Sequence, residues 1–232
     1  MTLEQRGTHE GPHHDSSSGT DRRRGPERLE AFSDGVFAIA ITLLVLEIRV
    51  PSGDQLDDPN ELIKALGALW PSYVGYLISF VTIGIIWANH HTVMNQIGRA
   101  DRTLLILTVG FLLVVAFIPL PTRLVAEFIG KDGARAATVT YGITLTLTAT
   151  MFNAIWFYAA RGGRLLRADA DERVVRGISK TFVLGPWIYL AATLVAAIAP
   201  TVGAIAFMLF ALFWVIESSV FGRDRSHRSA ER

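Results

Sequence analysis

The residues able to do chemistry cluster where one apolar run begins and another ends. The first run opens Arg28-Leu-Glu-Ala-Phe32-Ser33-Asp34-Gly35, and a second closes Trp87-Ala-Asn89-His90-His91. Ser and Asp at a helix start usually satisfy free backbone N–H groups. Here Leu29 to Ala31 already read as helix, which places Ser33 and Asp34 past the cap. Polar groups at the edge of an apolar run are costly and invite a functional question. Trp87 and His91 are four apart and share a helix face. If the two helices are antiparallel neighbours, His91 comes within reach of Asp34, and Asn95 and Asp101 extend the set. Two His and one Asp are also a metal set in principle, but adjacent His residues leave a helix on different sides. The expectation is therefore a hydrogen-bonded network locking two helices, with no metal and no cofactor.

Beyond Asp34 the run continues Val36-Phe-Ala-Ile-Ala-Ile-Thr-Leu-Leu-Val-Leu46, closed by Glu47 and Arg49. Gly35, Ile39, Thr42 and Leu46 follow steps of four, three and four, so they form one stripe. Periodicity alone makes that stripe a packing seam or a lipid-facing surface.

The elements that must carry these residues are long and apolar. The chain has 232 residues, half of them hydrophobic, with a net charge of +1 and a mean hydropathy of +0.36. Charges collect between apolar blocks, the pattern of an all-α polytopic membrane protein. Crossing about 30 Å of hydrocarbon takes about 20 apolar residues. Six segments qualify: about 29–50, 69–91, 103–128, 136–160, 179–199 and 201–221. Pro200 marks a tight turn between the last two, and Pro119 and Pro121 predict a kink in the third. The fourth carries Thr144, Thr146, Thr148 and Thr150, ordinary small-residue packing. Residues 1–26 read as a polar, disordered cytoplasmic tail without a secretion signal, 27–222 as the membrane domain and 223–232 as a second tail.

Basic residues alternate along the connections. Arg22, Arg23, Arg24 and Arg28 precede the first span, and Arg99 and Arg102 follow the second. Arg161, Arg164, Arg167, Arg173, Arg176 and Lys180 follow the fourth, and Arg223, Arg225 and Arg228 follow the sixth. The positive-inside rule then places both termini in the cytoplasm of a multi-pass protein of the cell membrane. Arg123, Lys131 and Arg135 fit this pattern worst, because they fall on the outer side. The connection 161–180 reads as a solvated linker or amphipathic helix without chemistry. There is no cysteine, which excludes disulfides and thiolate sites. Gly-x-Ser-x-Gly and a midspan Asp pair are absent, and no His-Glu-x-x-His lies within an apolar block, so no enzyme is expected, nor a nucleic-acid partner.

The stretch from Arg28 through Phe32-Ser33-Asp34-Gly35 to Leu44 resembles the signature of the endosomal and lysosomal potassium channel family, the transmembrane protein 175 family. The likeness is to its prokaryotic branch, whose members have one six-helix repeat. Trp87…His90-His91 and Asp101…Pro119 are similar to the family as well, and the topology extends it to roughly residues 27–222. The resemblance implies a homotetramer in the lipid bilayer, with the first helix of each subunit lining a central pore for potassium ions. It implies a hydrophobic constriction, carried over by motif position onto Ile39, Thr42 and Leu46. It also implies that Arg28, Phe32, Ser33, Asp34, Trp87 and His91 form a structural network behind the pore helix. A proton-coupled transporter using Asp34 and His91 as a relay is the rival expectation.

Overall fold

Each apolar block becomes a helix because a bilayer offers the backbone no hydrogen-bond partner except itself. The computed structural model describes residues 17–49 and 59–211. Expectations resting on residues 1–16, 50–58 and 212–232 lie outside the described residues. Helix α1 is Ser17–Leu43 and tightens into a 3₁₀ turn at Leu44–Glu47. Short α2 (Pro59–Ala68) precedes α3 (Trp70–Met94), α4 (Arg102–Phe117), α5 (Pro119–Phe128), α6 (Ala134–Ala160) and α7 (Glu172–Ile198). Last among the described residues comes α8 (Pro200–Ala211).

Among the described residues, five segments are long and apolar enough to cross a membrane: Gly25–Glu47, Trp70–Met94, Arg102–Phe128, Ala134–Gly163 and Glu172–Ile198. The described part of the sixth expected span is the shorter apolar α8.

Local sequence accounts for the boundaries. Asp101 caps α4 by accepting from the Leu104 N–H at 2.9 Å, and Asp171 accepts from Arg173 N–H at 2.7 Å at the start of α7. Pro119 and Pro121 split the third span at Ile118, as the expected kink requires. Two expectations change. Ser17 to Pro26, read from composition as tail, is helical backbone. The connection after α6 is also shorter than expected, because α7 starts at Glu172, two turns before Ser179. Asp171 supplies the cap that the charge-based reading overlooked. The remaining linker is pinned, with Gly98 N–H donating to Leu165 C=O at 2.9 Å and Arg167 N–H to Gln96 C=O at 2.9 Å. A Cβ at Gly98 would stand 3.0 Å from the Arg167 backbone, so glycine eases the close approach there.

Helix α1 packs on α3 and α4, while α6 packs on α4, α5 and α7. The main core gathers Phe37, Ile83, Leu104, Phe111 and Trp156. A second core joins Tyr141 and Leu145 of α6 to Ala192 and Ala196 of α7 and Phe207 of α8. At Gly142 a side chain would collide with Thr193 and Phe207, so glycine lets α6, α7 and α8 close on one another. The threonines of α6 each return their hydroxyl to a carbonyl one turn back, among them Thr144 to Thr140 and Thr148 to Thr144. That satisfies the hydroxyls within the helix and leaves α6 free to pack.

Candidate pore helix and its support

Helix α1 has two unlike faces. Leu29, Ser33, Phe37, Ala40 and Leu44 step by four, four, three and four and are buried, Phe37 to 1% exposure. The opposite stripe holds Phe32 at 55%, Ile39 at 60% and Leu46 at 72% exposure, with Gly35 and Thr42 also exposed. Among the described residues, the other helices therefore bury one side of α1 and leave the Ile39 side largely exposed. The Thr42 hydroxyl donates to Ala38 C=O at 2.9 Å and lies 3.0 Å from Ile39 C=O. Its proton is committed to the helix backbone, and the oxygen remains on the exposed stripe.

The polar residues behind α1 meet α3 in an antiparallel register. Trp87 Nε1–H donates to Asp34 Oδ1 at 2.8 Å. One turn along, His91 Nδ1 lies 2.8 Å from Glu30 Oε1. The Trp87 and His91 rings stack with centroids 6.1 Å apart, so the shared face expected of that pair is present. The partner expected for His91 was Asp34, whereas its partner is Glu30. The reason is axial offset: once Trp87 meets Asp34, the residue four further along α3 must meet the residue four earlier on α1.

The other expected members sit apart from this pair. Ser33 is buried, but its hydroxyl donates to Leu29 C=O at 2.8 Å in its own helix. Arg28 is exposed and forms no ion pair among the described residues. Phe32 belongs to the exposed stripe. Asn95 closes α3 through its backbone N–H. Asp101 heads a separate cluster, accepting from Tyr158 Oη–H at 2.6 Å and from Arg164 at 3.2 Å. The Tyr158 hydroxyl, the Leu104 N–H and Arg164 together hold the Asp101 carboxyl below the usual carboxylate range. Among the described residues no three metal-ligating side chains converge. His90 and His91 point apart: His90 is buried against Phe37 and Phe111, with ring centroids 5.6 Å away in each case.

Glu30 was missed, yet a signal was available. Glu30 and Asp34 are four apart on one helix, and Trp87 and His91 are four apart on the next. At the far end of α1, Arg123 lies 3.3 Å from Glu47 and Arg49 lies 3.5 Å from Glu127. Arg123, one of the three basic residues that fit the charge pattern worst, is thus paired with the acid that closes α1.

Residues 28–119 match the endosomal/lysosomal potassium channel TMEM175 family. A potassium channel of Streptomyces collinus is 45% identical over 159 residues, covering 68% of this chain and 76% of that protein. A potassium channel of Chamaesiphon minutus is 38% identical over 192 residues, covering 83% of this chain and 94% of its own. The chain belongs to the TMEM175 family. The crystal structure of a lysosomal potassium-selective channel TMEM175 homolog from Chamaesiphon minutus superposes with a TM-score of 0.75. It shares 36% identity and covers 83% of this chain and 97% of that one. The all-helical, multi-pass architecture is that of an ion-channel family, and the matched region holds α1, α3 and α4 with the Asp34–Trp87 and Glu30–His91 contacts.

Proposed function

We propose that the chain is a potassium-permeable channel subunit, conducting passively through a pore lined by α1 of several copies, four in the family's prokaryotic pattern. Six spans, with both termini cytoplasmic in a cell-membrane protein, complete the reading. The carrying observation is the bare stripe on α1: Ile39, Thr42 and Leu46 are exposed while the other side of the helix is buried. A cyclic assembly brings equivalent stripes to one axis.

The mechanism follows from the side chains. A ring of Ile39 side chains excludes water when narrow and strips part of an ion's hydration when slightly wider. Potassium holds its water less tightly than sodium, so partial dehydration favours potassium without a binding carboxylate. Thr42 presents an oxygen whose proton is already committed to Ala38 C=O, leaving lone pairs to replace lost water. The Trp87–Asp34 and His91–Glu30 contacts fix α1 against α3, which sets the tilt of the stripe. A proton relay between Asp34 and His91 draws no support from this geometry, because each has a different partner.

Reversal potentials of the purified protein in liposome-derived bilayers under a potassium/sodium gradient test the reading. The expected result is a potential displaced toward the potassium equilibrium value, with Ile39→Asn raising conductance and moving the potential toward zero. Unchanged currents in Ile39→Asn would remove Ile39 from the ion path.

A further inference from the structure

Four charged side chains meet at the far end of α1. Glu47 and Arg49 close that helix, and Arg123 and Glu127 belong to α5, which packs against the 3₁₀ turn Leu44–Glu47. Arg123 and Glu127 are four apart and share a helix face. Arg123 Nη1 lies 3.3 Å from Glu47 Oε2, and Arg49 Nη2 lies 3.5 Å from Glu127 Oε2. The two pairs have opposite polarity: α1 gives the acid in one and the base in the other. The quartet therefore sums to zero.

Its position relative to the bare stripe gives that sum a consequence. Leu46, the last residue of the stripe, is 72% exposed, and Glu47 follows it directly. A 3₁₀ turn takes about three residues, so Glu47 stands about a third of a turn from Leu46, on the side toward Arg123. Successive Cα atoms are about 3.8 Å apart. The carboxylate thus acts on the end of the stripe from within the Debye length, about 10 Å at about 0.1 M salt. Side-chain exposure runs from 27% at Glu47 to 65% at Arg49. Ion pairs this exposed add little stability, yet their charges still act on the solvent beside them. Rings of acidic side chains draw cations to a pore entrance. Repeated around an axis, Glu47 and Glu127 alone would form such a ring, and Arg123 and Arg49 cancel it.

We propose that Arg123 and Arg49 hold down the cation conductance by neutralising the acids at this mouth, which leaves discrimination to the Ile39 ring. The proposal rests on the channel reading, since the quartet stands at a mouth only where α1 lines a pore.

The test uses the full chain in planar bilayers with symmetric potassium chloride. The readout is the single-channel slope conductance at zero voltage, which is independent of the direction of insertion. Arg123→Gln and Glu47→Gln break the same ion pair, so a merely structural pair would shift conductance the same way in both. The field of the charges requires opposite shifts. At about 0.1 M salt the conductance should rise about twofold in Arg123→Gln, fall about twofold in Glu47→Gln and return close to wild type in the double variant. At about 1 M, where the Debye length is about 3 Å, all of them should converge. Arg49→Gln and Glu127→Gln should repeat the opposition, which keeps the proposal open to refutation where a Glu47 or Arg123 variant fails to assemble. Shifts that are not opposite in sign, or that survive at about 1 M, would overturn it. No shift in any of the four, with Ile39→Asn still raising conductance, would overturn it and leave the pore reading standing. No shift in Ile39→Asn either would remove both.

Discussion

The two faces of α1 share one backbone and are equally apolar, yet they are held by different things. Leu29, Phe37, Ala40 and Leu44 are covered by the chain's own helices, whereas Phe32, Ile39 and Leu46 stay more than half exposed among the described residues. A lipid-facing stripe would look the same in one chain. The helix that carries this one is clamped at one end by Asp34–Trp87 and Glu30–His91 and at the other by Glu47–Arg123 and Arg49–Glu127, which suits the proposed pore. Such clamps are costly to place at a membrane boundary, and they fix the direction of the bare face. Substitutions on the buried face should damage the fold, and those on the bare face should change conduction and selectivity.

The largest loss of stability is expected at Phe37→Ala, about 3 kcal/mol, because the cavity opens between His90 and Phe111 where no lipid can enter. The thermal midpoint of the detergent-purified protein measures it. Asp34→Ala comes next, at about 1.5 kcal/mol, since it removes the charge-assisted hydrogen bond from the partly exposed Trp87 N–H. A matching loss in assembled protein by size exclusion would accompany it.

Asp101→Ala removes the α4 cap and the Tyr158 contact and should cost about 1 kcal/mol near neutral pH. The Asp101 carboxyl titrates below its ordinary range in the folded chain. Its stabilisation is therefore complete above the unfolded carboxylate value and declines as pH falls through the lower folded value. The difference between wild type and Asp101→Ala should narrow over that acidic interval and stay constant above it. A difference that widens on acidification would reverse the assignment.

The smallest stability effect is expected at Ile39→Ala, within about 0.5 kcal/mol, as for any exposed position. Its current should nevertheless rise. A large thermal shift at Ile39, or a small one at Phe37, would erase the distinction between the faces.

Much of this was legible from the chain. That Ile39, Thr42 and Leu46 share one stripe follows from helical spacing, though spacing leaves open whether the stripe is buried or bare, and the third-span break follows from Pro119 and Pro121. The Trp87/His91 face follows from a separation of four. The partner of His91 was not legible in the way it was read, because spacing fixes which residues share a face but not how far one helix slides along another. The matched pairs Glu30/Asp34 and Trp87/His91 supply that offset only when both helices are considered together. Arg123 was unreadable as a charge count for a similar reason: its neutralising Glu47 lies 76 positions away in the chain. The early start of α7 was hidden because charged residues from Glu172 to Lys180 resemble a linker until the Asp171 cap is noticed.

The absence of native cysteine makes one measurement especially direct. Cysteine is introduced singly at Ile39, Thr42 or Leu46, with Ile143→Cys, on the exposed face of α6, as the control. Cadmium ions are then applied to the conducting bilayer. Several thiolates converging on a common axis bind cadmium tightly, whereas thiols dispersed among acyl chains cannot. The account predicts reversible block of the Ile39→Cys current, relieved by a chelator, with the Ile143→Cys current untouched. Currents in all three α1 variants that ignore cadmium would contradict it.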